Sequence, residues 1–137
     1  GKGNFAINGL DESGRGKFIR EDVLKWLARQ VRKKKNDPAC FKPWDLIVCD
    51  PPVFAASGRG KPFSLEKEWP LLSKSIRFIL SEKGIALFSN NHRGGNEKYY
   101  SEALEKEFTR VTRFCPPFDF PDVPECPPHV RIYWCEV

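Results

Sequence analysis

Apolar and polar positions along this chain fall into segments of different period. Between Val23 and Val31 the apolar side chains Leu24, Leu27, Ala28 and Val31 recur at steps of three and four, which predicts a helix with one inward face. From Trp44 to Asp50 (WDLIVCD) that period disappears. The run is continuous and partly β-branched, which predicts a strand buried on both faces of a parallel sheet. Helical spacing returns over 66–83, with Trp69, Leu72, Ile76, Ile79 and Leu80 on one side and Gly84 where a C-terminal cap belongs. A second buried strand follows over 84–90 (GIALFSN), then a helix over 96–108 with Tyr100, Ala103, Leu104 and Phe108 inward. Strands are predicted over 109–114 and 129–137, on either side of the proline-dense loop CPPFDFPDVPECPP.

The N-terminal stretch is less regular. NFAINGL reads as the tail of a helix stopped by Asn8-Gly9, DESGRG as a loop, and GKFIRED as a short strand around Phe18 and Ile19. The resulting alternation of strands and helices predicts an α/β fold. Its sheet is expected to be mostly parallel, with one antiparallel strand near the C-terminus, because the last two strands flank a loop without a helix. The chain opens on a helix tail, and no glycine-rich turn of the GxGxxG kind follows a strand. The expectation is that the N-terminal strands carrying that turn lie upstream, so that residues 1–137 form one partial domain.

Composition changes this picture little. At 137 residues, 40% hydrophobic and 30% charged, the chain suits one globular domain with a real core. No apolar run is long enough to span a bilayer and no signal peptide opens the chain, so the cytoplasm is the expected compartment and no membrane partner is expected. Cys40, Cys49, Cys115, Cys126 and Cys135 show no metal-ligand spacing; they read as reduced packing thiols, and no metal is expected. The net charge of +5 is compatible with a polyanionic partner. Its clearest basic run, VRKKK, reads first as a solvated helix end whose cations suit the dipole there.

Candidate chemistry lies at strand ends, where open α/β sheets bind ligands. Three ends are polar: Arg20-Glu21-Asp22, Asp50-Pro51-Pro52, and the segment from Ser89 to Arg93. The double proline stops a strand and stiffens the backbone just where Asp50 emerges. Each position also has an ordinary reading. Asp22 precedes a helix and is a natural N-cap, and it can cap and bind at once. Asn90 and Asn91 are equally good turn formers. Phe118 and Phe120 could stack on an extruded base or plug their loop onto the core, and the core is the preferred reading.

These residues carry a resemblance. The order FIREDVLKWL, WDLIVCDPPVFAAS, GIALFSNNHRGGN resembles the later part of a class I S-adenosylmethionine-dependent methyltransferase. More narrowly it is similar to the bacterial family that methylates large-subunit ribosomal RNA, with its guanine-N7 and cytosine-C5 branches. The resemblance covers nearly the whole chain and is most specific in DPPxFxxS followed by FSNNxR. It implies a Rossmann-like sheet, S-adenosylmethionine as cofactor and ribosomal RNA as partner. It further implies that Asp22 approaches the adenine amino group and Val23 packs near the adenine ring. Asp50, Pro51 and Pro52 would form a platform beside methyl donor and target base, joined by Asn90. Phe54, Ser57, Asn91 and Arg93 would complete the substrate side. Cytosine-C5 chemistry needs a thiolate nucleophile. That branch carries its cysteine after the strand matching GIALFSN, where this chain reads SNNHR, so the guanine-N7 branch is the closer one. Two other readings stay open: a non-catalytic remnant or interaction module of the fold, and a methyltransferase of a small molecule or protein. If the first strands are absent, the sheet has an exposed edge, and a homodimer paired through it is expected.

Overall fold

A computed structural model describes residues 2–10, 17–56, 62–93, 95–114 and 130–137. The elements in chain order are α1 (Lys2–Ile7), α2 (Val23–Asn36), β1 (Trp44–Cys49), β2 (Phe54–Ala55), β3 (Phe63–Ser64), α3 (Leu65–Ile79), β4 (Leu80–Asn90), α4 (Glu97–Glu105), β5 (Arg110–Phe114) and β6 (Arg131–Glu136). Gly9 follows α1 with φ of 62°, the left-handed conformation that ends a helix.

Four strands form one sheet in the order β1-β4-β6-β5. β1 and β4 are parallel, and β6 runs antiparallel to both β4 and β5. Three strands therefore share one direction and the reversed strand is the last, as the helix-free final connection requires. β2 and β3 make a separate two-stranded antiparallel pair. Runs of two residues carry no period, so nothing in the hydrophobic pattern announces them.

Register explains the core. Cys49 aligns with Phe88 and Phe88 with Tyr133; Ile47 aligns with Ala86 and Ala86 with Cys135. These residues share the face on which α3 and α4 pack. Trp69 of α3 is fully buried there. Its ring lies 5.0 Å from Tyr100, 5.3 Å from Phe88 and 6.5 Å from Tyr133, and its indole N–H donates to the Tyr100 carbonyl at 3.1 Å. Leu72, Ile76, Ile79 and Leu104 fill the space around it.

Four expectations are corrected. β1 is not buried on both faces: Leu46 is 55% and Val48 62% exposed, because the described helices cover only the opposite face. Residues 17–20 form no strand. Phe18 packs instead against Phe5, with centroids 4.8 Å apart, and a strand of two apolar residues has no partner to pair with. Gly84 is not a helix cap. α3 ends at Ile79 and the chain passes directly into β4; a Cβ at Gly84 would sit 3.0 Å from both the Trp44 carbonyl oxygen and Leu80 Cβ, so close strand approach is what demands glycine. Finally, the basic end of α2 is not wholly solvated. Lys34 lies 5.3 Å from the Phe78 ring centroid and donates to the Phe78 and Leu80 carbonyls at 2.7 and 3.1 Å, which caps the end of α3 with a cation. Burial lowers its pKa, helped by Arg77.

Candidate active site

The parallel pairing of β1 and β4 builds the rim. Both strands end there, β1 passing into Asp50-Pro51-Pro52 and β4 running two residues beyond the Cys49–Phe88 pair to Asn90. Beyond the prolines the chain is tied back to the helix layer. The Leu65 amide donates to the Val53 carbonyl at 3.0 Å, and β2 pairs with β3 immediately before α3.

Asp22 reaches the same region from α2. It is the N-cap, extended at φ −62° and ψ 125°, with its side-chain Oδ1 accepting the Lys25 amide N–H at 3.0 Å. Its neighbour Glu21 is held in a two-pronged ion pair by Arg29, at 2.5 and 2.6 Å. Among the described residues the second oxygen of Asp22 accepts no hydrogen bond. Capping therefore leaves half of this carboxylate free to meet a ligand.

An open cleft of about 660 Å³ runs along the free edge of β1. Asp22, Val23, Asp50, Pro51 and Pro52 line it at the rim. Further down, the rings of Trp26 and Trp44 lie 5.9 Å apart, tilted at 59° to one another. The sequence candidates thus divide. Those five residues share one cleft, with Val23 half exposed. Asn90 is buried, 1% exposed, and does not line it. Its Oδ1 accepts the His92 amide N–H at 3.3 Å, and among the described residues its side-chain nitrogen has no partner. Asn91 and Arg93 are exposed past the end of β4, and Phe54 is exposed on β2. Ser57, Phe118 and Phe120 lie outside the described residues.

Cys49, which ends β1 just before Asp50, is held protonated. Burial, with the Asp50 charge adding to it, pushes Cys49 up to about 12. A thiol so raised carries almost no thiolate near neutrality and is a poor nucleophile. Among the described residues no three His, Cys, Asp or Glu side chains gather as metal ligands.

No protein-family model matches the sequence. Curated proteins do match it. The ribosomal RNA large subunit methyltransferase K/L of Shewanella baltica is 31% identical over 137 residues, covering 97% of this chain and 17% of that protein. Its namesake in Cellvibrio japonicus is 37% identical over 102 residues, 74% of this chain and 12% of that protein. The chain thus spans less than a fifth of the length of these relatives. Among solved structures, a SAM-dependent methyltransferase from Agrobacterium tumefaciens superposes with a TM-score of 0.67, at 19% identity, over 98% of this chain and 43% of that one. A methyltransferase crystallised with SAH gives 0.67 at 23% identity over 85% of this chain and 30% of its own.

The chain is similar in sequence to one part of the ribosomal RNA large subunit methyltransferases K/L, and it has the fold of the methyltransferases it superposes on. In this chain the rim residues the sequence pointed to are joined by others it did not. Trp26 was passed over because helix period assigned the inward face to Leu24 and Leu27, and Trp44 was read only as the opening residue of a buried strand. Arg131, 2% exposed at the start of β6, was read as an ordinary strand residue. The signal available for it was position alone, since it opens the strand that pairs with Asn90.

Proposed function

We propose that this chain carries part of an S-adenosylmethionine-dependent site that methylates a base of large-subunit ribosomal RNA, a guanine in preference to a cytosine. One observation carries the reading: Asp22, Val23 and Asp50-Pro51-Pro52 share a cleft at the strand-end rim of a methyltransferase fold. The names of the curated relatives support ribosomal RNA as substrate. The net charge of +5 suits a polyanionic partner.

The residues present fit the cofactor. The free oxygen of Asp22 is an acceptor suited to an adenine amino group, and Val23 offers an apolar wall to the ring. When bound, S-adenosylmethionine would supply a methyl group on a sulfonium, transferred to the target atom by in-line attack at carbon as the S–CH3 bond breaks and S-adenosylhomocysteine leaves. Asp50 and the carbonyls beside it, on a backbone stiffened by two prolines, orient and accept hydrogen bonds from the reactants. Much of the rate then comes from holding the groups close and aligned. Guanine N7 attacks with a lone pair and loses no proton first, so it needs no thiolate; that agrees with the protonated state of Cys49. Phe54, Ser57, Asn91 and Arg93 belong to the substrate side in this reading, and the cytoplasm is its compartment. No described helix is long and apolar enough to cross a membrane.

The test uses a methylation-competent polypeptide containing this chain, with labelled S-adenosylmethionine and undermethylated ribosomal RNA. Asp50→Ala is expected to abolish transfer; retained activity overturns the site. A second reading, an interaction module without catalysis, is favoured by the cleft staying open along the whole of β1. Titration with S-adenosylhomocysteine separates the two, since a module binds none in any length of polypeptide. That free edge also offers unpaired backbone groups to another strand. We infer that the isolated chain self-associates there; light scattering is expected to give a dimer, and a monomer at all concentrations overturns this.

A further inference from the structure

We propose that Arg131 is a positioning residue for the tip of β4: its buried guanidinium holds the backbone at His92 and Gly95, and thereby fixes buried Asn90 and the place where exposed Asn91 is presented. The proposal rests on the reading of that tip as part of the methyl-transfer site.

Arg131 is the cross-strand partner of Asn90 in the β4–β6 ladder. Instead of reaching solvent, its side chain turns to the segment that follows β4. Nη1 donates to the His92 carbonyl at 2.5 Å and Nη2 to the Gly95 carbonyl at 2.7 Å. The guanidinium lies 5.7 Å from the centroid of the Tyr100 ring. That ring bonds back to the same segment, its hydroxyl 2.6 Å from His92 Nδ1. The Gly95 amide donates to the His92 carbonyl at 3.2 Å. A Cβ at Gly95 would fall 2.6 Å from Tyr100 Cε2 and 2.7 Å from His92 Nδ1, so the chain is pressed against this platform without room for a side chain. The hold passes to Asn90 through His92, whose amide N–H bonds its Oδ1.

The chemistry explains the residue type. A buried cation is costly unless its donors are used; here two N–H groups of the planar fork meet two carbonyls with an aromatic ring beside them, while among the described residues the buried Nε has no partner. A lysine would have to serve both carbonyls from a single nitrogen, as Lys34 does at the end of α3, and would lay no planar group over the Tyr100 ring. The fork matches two points of a backbone that must not move, which is what a site working by alignment needs.

Hydrogen exchange of the chain read by mass spectrometry, with Arg131→Lys and Arg131→Met, tests the hold. Exchange across 91–96 is expected to rise at least about tenfold in Arg131→Met and less in Arg131→Lys, with the core of α3 and β4 unchanged. Exchange that rises equally everywhere, or not at all across 91–96, overturns the proposal. If Arg131→Met does not fold, Arg131→Lys decides by the same criteria. In a methylation-competent polypeptide containing this chain, Arg131→Lys is expected to lower kcat by roughly ten- to a hundredfold with KM for S-adenosylmethionine changed by less than about twofold. An unchanged kcat, or a raised KM alone, overturns it. Asn90→Ala reports separately on the underlying reading: full methylation by that variant removes the tip from the site even where the local exchange effect is present.

Discussion

Asp22 is asked to do two jobs, and two substitutions separate them. Its Oδ1 accepts the Lys25 amide at 3.0 Å as the cap of α2, while its other oxygen is free at the cleft. Asp22→Asn keeps a side-chain oxygen for the cap and loses the charge. Capping strength hardly differs between the two residues, so the cost is the lost interaction with the helix dipole, about 0.3–1 kcal/mol and at the low end because Asp22 is exposed. At this chain length roughly 4 °C of Tm corresponds to 1 kcal/mol, so Tm is expected to fall by about 1–2 °C. Asp22→Ala removes the cap as well and costs about 1 kcal/mol more, a further drop of roughly 4 °C. Ligand binding follows a different order. A hydrogen bond from an adenine amino group to a carboxylate contributes about 1.5–3 kcal/mol, and in Asp22→Asn the one oxygen is taken by the cap, so the atom left at the cleft is an NH2 that cannot accept it. In a cofactor-binding polypeptide containing this chain, Kd for S-adenosylhomocysteine is expected to rise at least about tenfold in both Asp22→Asn and Asp22→Ala, although their Tm values differ. Thermal melts and calorimetric titration read both quantities on the same samples. An Asp22→Asn protein with wild-type Kd refutes the cofactor role, and an Asp22→Ala protein with wild-type Tm refutes the cap.

Two further outcomes test the fold around the site. Gly84→Ala places a methyl group 3.0 Å from the Trp44 carbonyl oxygen, where backbone must yield; a loss of about 1–3 kcal/mol and a Tm lower by roughly 4–12 °C are expected, and an unchanged Tm means that β1 and β4 do not meet as described. Burial pushes both Cys49 and Cys135 up to about 12 from an ordinary value near 9.0. Below that value folded and unfolded chains hold the same thiol protons, so these groups leave stability unchanged. Between about pH 9 and 12 the unfolded chain loses protons that the folded chain keeps, so stability falls as pH rises. A thiol reagent at pH 8, read peptide by peptide, is expected to label exposed Cys40 rapidly, half-buried Cys49 more slowly, and Cys135 only as fast as the chain opens; rapid labelling of Cys135 overturns its burial.

What the sequence made legible followed the reach of its periods. α3 buries Trp69, Leu72, Ile76 and Ile79, the stripe its spacing foretold, because a helix against one sheet face needs one apolar stripe and no more. β4 and β6 were readable as strands for the matching reason: each is long enough to alternate. The WDLIV run was readable as a strand but not as an edge, since apolarity reports that a residue is to be covered and says nothing about which neighbour covers it. Leu46 and Val48 are apolar and exposed in the same structure in which Ile47 and Cys49, one position along, turn toward the helices. The candidate site divided along the same line. Asp22 and Asp50-Pro51-Pro52 announce themselves through local chemistry, a cap and a strand stop, and they share the cleft. Arg131 announces nothing. Its burial depends on carbonyls at His92 and Gly95, which lie 39 and 36 residues before it and which only the fold brings within reach. Arginine is rarely buried unless its donors are satisfied, so a one-dimensional reading ranks it as surface. The residue least visible in the sequence is thus the one that ties β6 to the tip of β4, and a site assembled from separate strand ends depends on ties of this kind as much as on the acids it displays.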